Sequence, residues 1–260
     1  MKLFLLGLMA LTLTTVQAGI VTREVSYPAG SVTARGFLAL PEDGGKHPGV
    51  LVVHEWWGLN DYARKRAEQL AALGYVALAV DMYGDGKVAG HPKDAGSFAA
   101  AVMKDLPEAR RRFEGALAFL AKQPGVDPDK IAAIGYCFGG GLVLQMACEG
   151  VPGLKAVASF HGSLGAEVPQ GVKPTARMLV CHGAEDNFIP SGVLEAFPSR
   201  MKAAGVDLEF HSYPGAKHGF TNPDADKVAK EFDLNVAYDA KADAESWKAL
   251  QKFLKKSFAD

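Results

Sequence analysis

Short apolar runs recur along this chain, with helix-patterned stretches between them, and that alternation limits the folds open to it. Gly49–Val53, Tyr75–Val80, Lys130–Ile134, Ala156–Phe160, Arg177–Cys181 and Asp207–Tyr213 read as strands. Tyr62–Leu73, Ser97–Lys122, Gly140–Cys148 and Ser191–Ala204 read as helices, with a last helix near Tyr238–Phe258. Pro107 breaks or starts a segment within the long second helical region. Strands alternating with helices predict an α/β fold, a mostly parallel central sheet with helices on both faces. Two further strands, Thr22–Tyr27 and Ser31–Leu40, precede this pattern and are joined through Pro28-Ala29-Gly30.

A chain of 260 residues suffices for one large domain with a substantial core. Hydrophobic content of 48% and a net charge of −1 exclude a disordered chain and give no basic stripe for nucleic acid. Arg110-Arg111-Arg112 is expected to be a solvated helix face. At the N-terminus, Lys2, the apolar run Leu3–Leu13 and Val16-Gln17-Ala18 have the layout of a secretory signal. The apolar run is short for a membrane span. The expectation is a signal over residues 1–18 and a domain over 19–260, secreted or periplasmic, with no stable membrane anchor after cleavage. Three cysteines leave at least one unpaired within the chain. Cys148 and Cys181 fall in apolar patterns and are expected in the core.

In parallel sheets, chemistry gathers beyond the carboxyl ends of the strands. The loops there carry His54-Glu55-Trp56-Trp57-Gly58, Asp81-Met82-Tyr83-Gly84, His161-Gly162, His182-Gly183-Ala184-Glu185-Asp186 and Ala216-Lys217-His218-Gly219-Phe220. After Ile131–Ile134 comes Gly135-Tyr136-Cys137-Phe138-Gly139-Gly140, which leads into a helix. Its spacing is that of a nucleophile elbow, G-x-S-x-G, with cysteine for serine. A buried structural cysteine or a phosphate-binding turn is the competing reading, but the segment matches neither G-x-x-x-x-G-K-[ST] nor G-x-G-x-x-G. Cys137, Asp186 and His218 then follow in the chain order nucleophile, acid, histidine of the α/β-hydrolases. The thiol needs a base, for which His218 is placed, and the imidazole needs an orienting carboxylate. Asp186 is the candidate, with Glu185 an adjacent competitor. His54-Glu55-Trp56-Trp57-Gly58 lacks the second histidine of H-E-x-x-H, so no metal is expected there.

Through these motifs the mature chain resembles the dienelactone hydrolase family, the cysteine branch of the α/β-hydrolases. The resemblance implies a Cys137–His218–Asp186 triad, a Glu55 that contacts the resting cysteine, and an oxyanion hole from the N–H groups of Trp56 and Phe138. Without family context, Glu55 reads as an ordinary helix cap. Family members that act on dienelactone hold its carboxylate with arginines, one of them four residues after the catalytic histidine. Here that position is Asn222, and the region of the second arginine, Gly84–Leu106, holds no arginine, although Lys87 and Lys93 lie there. A neutral ester or lactone is therefore the expected small-molecule substrate.

Trp57, Tyr83, Phe188 and Phe220, with Asn222 and His161, are expected to line the pocket. A packed, hydrogen-bonded role is the alternative for His161 and His182. The implied reaction is hydrolysis through a thioester acyl-enzyme, with no metal or organic cofactor, by a monomer. An acyltransferase or thioesterase on the same triad, or a non-catalytic binding protein that keeps the pocket, are the alternatives that the residues leave open.

Overall fold

The computed structural model describes residues 14–17 and 19–259. Most of the segment read as an export signal, residues 1–13 and 18, lies outside the described residues. Among the described residues nine strands, β1 (Thr14–Gln17), β2 (Ile20–Ala29), β3 (Val32–Pro41), β4 (His47–Val53), β5 (Val76–Val80), β6 (Val126–Tyr136), β7 (Leu154–Phe160), β8 (Arg177–Gly183) and β9 (Leu208–Tyr213), form one sheet. Their order is β1-β2-β3-β5-β4-β6-β7-β8-β9. The first three pair antiparallel and β3 pairs antiparallel with β5, whereas every pair from β5 to β9 is parallel. The chain winds from β4 outward to β5 and then crosses back to β6 on β4's other edge. That reversal opens a crevice beyond the carboxyl ends of β4 and β6.

Side chains of each central strand alternate between two cores, as the strand period of two requires. Leu51, Val53, Leu78, Val80, Ala133 and Val157 join one cluster with Phe113, Leu142 and Phe197. Val50, Val52, Ala77, Ala79, Ala132 and Ile134 join the other with Ala67, Leu70, Leu250 and Phe253. The helices sort accordingly. Core residues of α2 (Pro92–Lys104), α3 (Leu106–Ala121), α4 (Phe138–Cys148) and α5 (Ser191–Ala203) belong to the first cluster, and those of α1 (Asp61–Ala72) and α7 (Ala240–Ala259) to the second. Cys148 and Cys181 are buried, as expected.

Several element boundaries differ from the sequence reading. The single region Ser97–Lys122 is two helices, because Asp105 ends α2 and caps α3, accepting from Glu108 N at 3.1 Å with Pro107 in the first turn. A further helix, α6 (Ala225–Phe232), was not anticipated. Its apolar positions Ala225, Val228 and Phe232 do follow helical spacing, but it ends at Asp233 in the left-handed conformation (φ 52°), where glycine would have signalled the stop. The Arg110–Arg112 run is not uniformly solvated. Arg112 pairs with Glu108 at 3.2 Å and donates to the carbonyls of Met82 and Tyr83 at 3.0 and 3.3 Å.

Candidate active site

The backbone of Cys137 has φ 52° and ψ −113°, a conformation that side-chain-bearing residues rarely adopt. The glycines around it explain how the turn is tolerated. A Cβ on Gly135 would lie 2.1 Å from the Gly139 carbonyl oxygen, and one on Gly139 would lie 2.4 Å from that of Val53. The elbow thus folds back on its own strand and against the end of β4 at distances that only glycine permits. Cys137 N donates to Phe160 O at 3.0 Å, and Cys137 O accepts from Gly141 N at 3.2 Å. The thiol stands at the N-terminus of α4, where the helix dipole favours negative charge.

His218 follows β9 and meets Asp186, which follows β8. Their Nδ1–Oδ2 distance is 2.9 Å, and the other Asp186 oxygen accepts from Phe188 N at 3.0 Å. Glu185, the sequence competitor, is exposed, so Asp186 alone holds the imidazole. With Nδ1 engaged, Nε2 is the ring nitrogen left for the thiol of Cys137, which lines the same cavity as His218. Burial pulls the His218 pKa down, but the Cys137 thiolate and the Asp186 carboxylate outweigh it and push it up to about 10. Such a base holds a proton readily once the thiol has given it up.

Glu55 follows β4 and is buried, and burial raises its carboxyl to about 6. The sequence reading expected it to contact the resting cysteine. In the structure its Oε2 accepts from Asn222 Nδ2 at 2.7 Å, and Glu55 and Cys137 line the same cavity. Asn222 is itself buried and turned toward Glu55, a role that its position in sequence, 167 residues away, does not reveal.

Cys137, His218, Glu55 and Asn222 open onto one cavity of about 140 Å³. Its remaining wall includes Trp56, Trp57, Phe188, Val228, Leu234 and Val236. The unanticipated α6 supplies Ala225 and Val228 to it. Among the described residues no lysine or arginine lines it. Trp57, Phe188 and Asn222 therefore lie where the sequence placed them.

Three expected pocket residues do not line this cavity. Tyr83 is buried beneath it, its hydroxyl donating to Trp56 O at 2.9 Å and its ring packed on Phe138. Phe220 is wholly buried against Tyr213 and His161. His161 lies behind His218, with ring centroids 5.1 Å apart, and its Nε2 bonds Thr221 Oγ1 at 2.8 Å. Thr221 Oγ1 also meets Tyr62 Oη at 2.6 Å, and Arg66 donates to Thr221 O at 2.7 Å and to Asp243 at 2.5 Å. That network anchors the loop carrying both His218 and Asn222. A strand-end position told which residues approach the site, but not which side of the loop each side chain takes.

Trp56 N and Phe138 N have no acceptor among the described residues, although most backbone donors in such turns are paired. One lies beside Glu55 and one directly after Cys137 in the chain. They are free to receive a developing oxyanion.

Residues 34–258 match the family model described as "Dienelactone hydrolase family". A solved structure named m3DLH is 38% identical and superimposes with a TM-score of 0.86 over 92% of this chain and 99% of its own. The dienelactone hydrolase-like promiscuous phosphotriesterase P91, from metagenomic libraries, is 36% identical, with a TM-score of 0.84 over 92% of this chain and 99% of that one. A protein of Synechocystis sp. described as "Putative carboxymethylenebutenolidase" is 29% identical over 89% of this chain and 95% of its own length.

Proposed function

The chain belongs to the dienelactone hydrolase family and is a carboxylic ester hydrolase, and on that premise we propose that it cleaves neutral esters or lactones through Cys137, His218 and Asp186. The observation that carries this reading is the joint placement of a strained Cys137 and a His218 bound to Asp186 at 2.9 Å on the wall of one small cavity.

In the first step His218 takes the thiol proton and the thiolate attacks the ester carbonyl. The resulting oxyanion accepts from Trp56 N–H and Phe138 N–H. As the C–O bond breaks, the leaving alkoxide takes the proton from His218, leaving an acyl thioester on Cys137. His218 then deprotonates a water that attacks the thioester, and the C–S bond breaks to release the carboxylic acid and return the thiolate. In a lactone the alkoxide stays tethered to the acyl group. Asp186 holds the ring with Nδ1 toward itself throughout and balances the imidazolium charge.

Neutral substrates are favoured because Glu55 puts a carboxylate at the cavity and Asn222 offers no counter-charge to an anionic ligand. Mixing the protein with p-nitrophenyl acetate and quenching early should give an added acetyl mass on the Cys137 peptide, absent in Cys137→Ala. Turnover with no such adduct under any quench condition would refute the thioester route. A higher kcat/KM on a carboxylate-bearing dienelactone than on neutral esters would refute the substrate class. The reading extends to location and assembly: residues 1–18 direct export, and the exported protein, a monomer, starts near Gly19. N-terminal sequencing and gel filtration of that protein test both.

A further inference from the structure

His54 is fully buried between the nucleophile loop and the loop after β5, and the mechanism above does not use it. Its hydrogen bonds nevertheless reach both arms of the oxyanion hole. Met82 N donates to His54 Nε2 at 3.3 Å. A backbone N–H can only donate, so Nε2 is the acceptor nitrogen and the ring proton sits on Nδ1. Nδ1 lies 2.5 Å from Glu55 O, which also accepts from Gly58 N at 3.3 Å. The Glu55 carbonyl and the Trp56 N–H belong to one planar trans peptide and point in opposite directions. Holding that carbonyl on the His54 side turns the Trp56 N–H the other way. The His54 backbone carbonyl accepts from Gly139 N at 3.1 Å, which ties the same residue to the first turn of α4, where the Phe138 N–H lies.

We propose that His54 is a positioning residue that sets the Trp56 N–H as an oxyanion donor and holds it in register with the Phe138 N–H. Its side chain fixes one peptide, its backbone fixes the other, and the imidazole polarises the peptide that donates. Hydrogen bonds in such a chain strengthen one another, so the Trp56 N–H is a better donor with the imidazole in place. The ring stays neutral while it does this. Burial drives its pKa down to about 4, against smaller opposing effects of the hydrogen bond to the Glu55 carbonyl and of the Asp81 charge. The rings of Tyr83 and Phe138 pack against it at 4.7 and 5.7 Å and help to keep its plane.

The inference rests on the proposed oxyanion hole, and its test separates the two. Acylation by p-nitrophenyl acetate needs an oxyanion donor, whereas alkylation of Cys137 by iodoacetamide does not. His54→Leu is expected to lower the acylation rate roughly 10- to 100-fold, below the full loss of an oxyanion donor, with KM changed little. Its iodoacetamide rate should stay within about twofold of wild type. His54→Gln, whose amide can both donate and accept, should recover most of the acylation rate. Equal losses in both reactions, or an unchanged acylation rate, would overturn the proposal. Nitrogen-15 NMR of the unliganded wild type gives a reading independent of turnover and of variant folding. A protonated Nδ1 and an unprotonated Nε2 on His54 are expected, and the reverse tautomer would overturn it. A wild type with that tautomer but without ester turnover would instead sink the esterase reading.

Discussion

Glu55 costs the fold stability when it is ionised, and Glu55→Gln should recover it. Burial raises its carboxyl from 4.5 to about 6, against the opposing hydrogen bond from Asn222 and the charges of His218 and Arg66. Between those two values the native state binds more protons than the unfolded chain, so folding loses stability as pH rises through that range. At about 1.36 kcal/mol per pH unit, the cost grows from about pH 4.5 and levels off near 2 kcal/mol by about pH 7. Glutamine keeps an oxygen that can accept from Asn222 Nδ2 and carries no charge to desolvate. The expected result is equal stability of variant and wild type at pH 4. At pH 8 the variant should gain about 2 kcal/mol, or about 4 °C in Tm for a chain of this size. Urea unfolding at a series of pH values measures the difference directly, since every other titrating group is common to both proteins. A variant no more stable than wild type at pH 8, or one whose advantage persists undiminished at pH 4, would refute the reasoning. A lower kcat alongside the gain would show that this destabilising charge is kept for function.

Asp186→Asn should lower kcat at least about 100-fold, because it removes the charge that orients and stabilises the His218 imidazolium; unchanged circular dichroism with intact turnover would exclude that role. Gly139→Ala should destabilise the protein by more than about 3 kcal/mol in thermal unfolding, since the new methyl would meet the Val53 and His54 carbonyl oxygens at 2.4 and 2.6 Å. Thr221→Val should cost about 1–3 kcal/mol by stripping the buried His161 Nε2 of its partner, and Thr221→Ser should restore most of it. Asn222→Arg should raise kcat/KM for carboxylate-bearing lactones relative to neutral esters by placing a cation at the cavity wall; an unchanged ratio would remove charge at this position as the determinant of substrate class.

Cys137 was readable from its own neighbours, because a strained elbow demands glycines at fixed offsets and those offsets are local. Asp186 and His218 were readable from their order after strands, although the choice of Asp186 over Glu185 needed the observed exposure of Glu185. The Glu55 partner was not readable. Its family counterpart suggested the cysteine, and the structure pairs it with Asn222, a residue that the sequence marked only as a missing arginine. Tyr83, His161 and Phe220 stand on the right loops but turn inward, where Trp56 O, Thr221 and the apolar layer claim them.

The sequence by itself determined the layered α/β architecture and the glycine-bounded elbow that carries Cys137, because both rest on short-range regularities. Apolar period fixes which face of a strand is buried, and backbone sterics fix where glycine must stand. Tertiary structure alone decided which polar groups satisfy one another in the buried space above β4 and β6. Glu55 with Asn222, and His54 with Met82, join segments remote in sequence, and each bond depends on directions that no local pattern encodes.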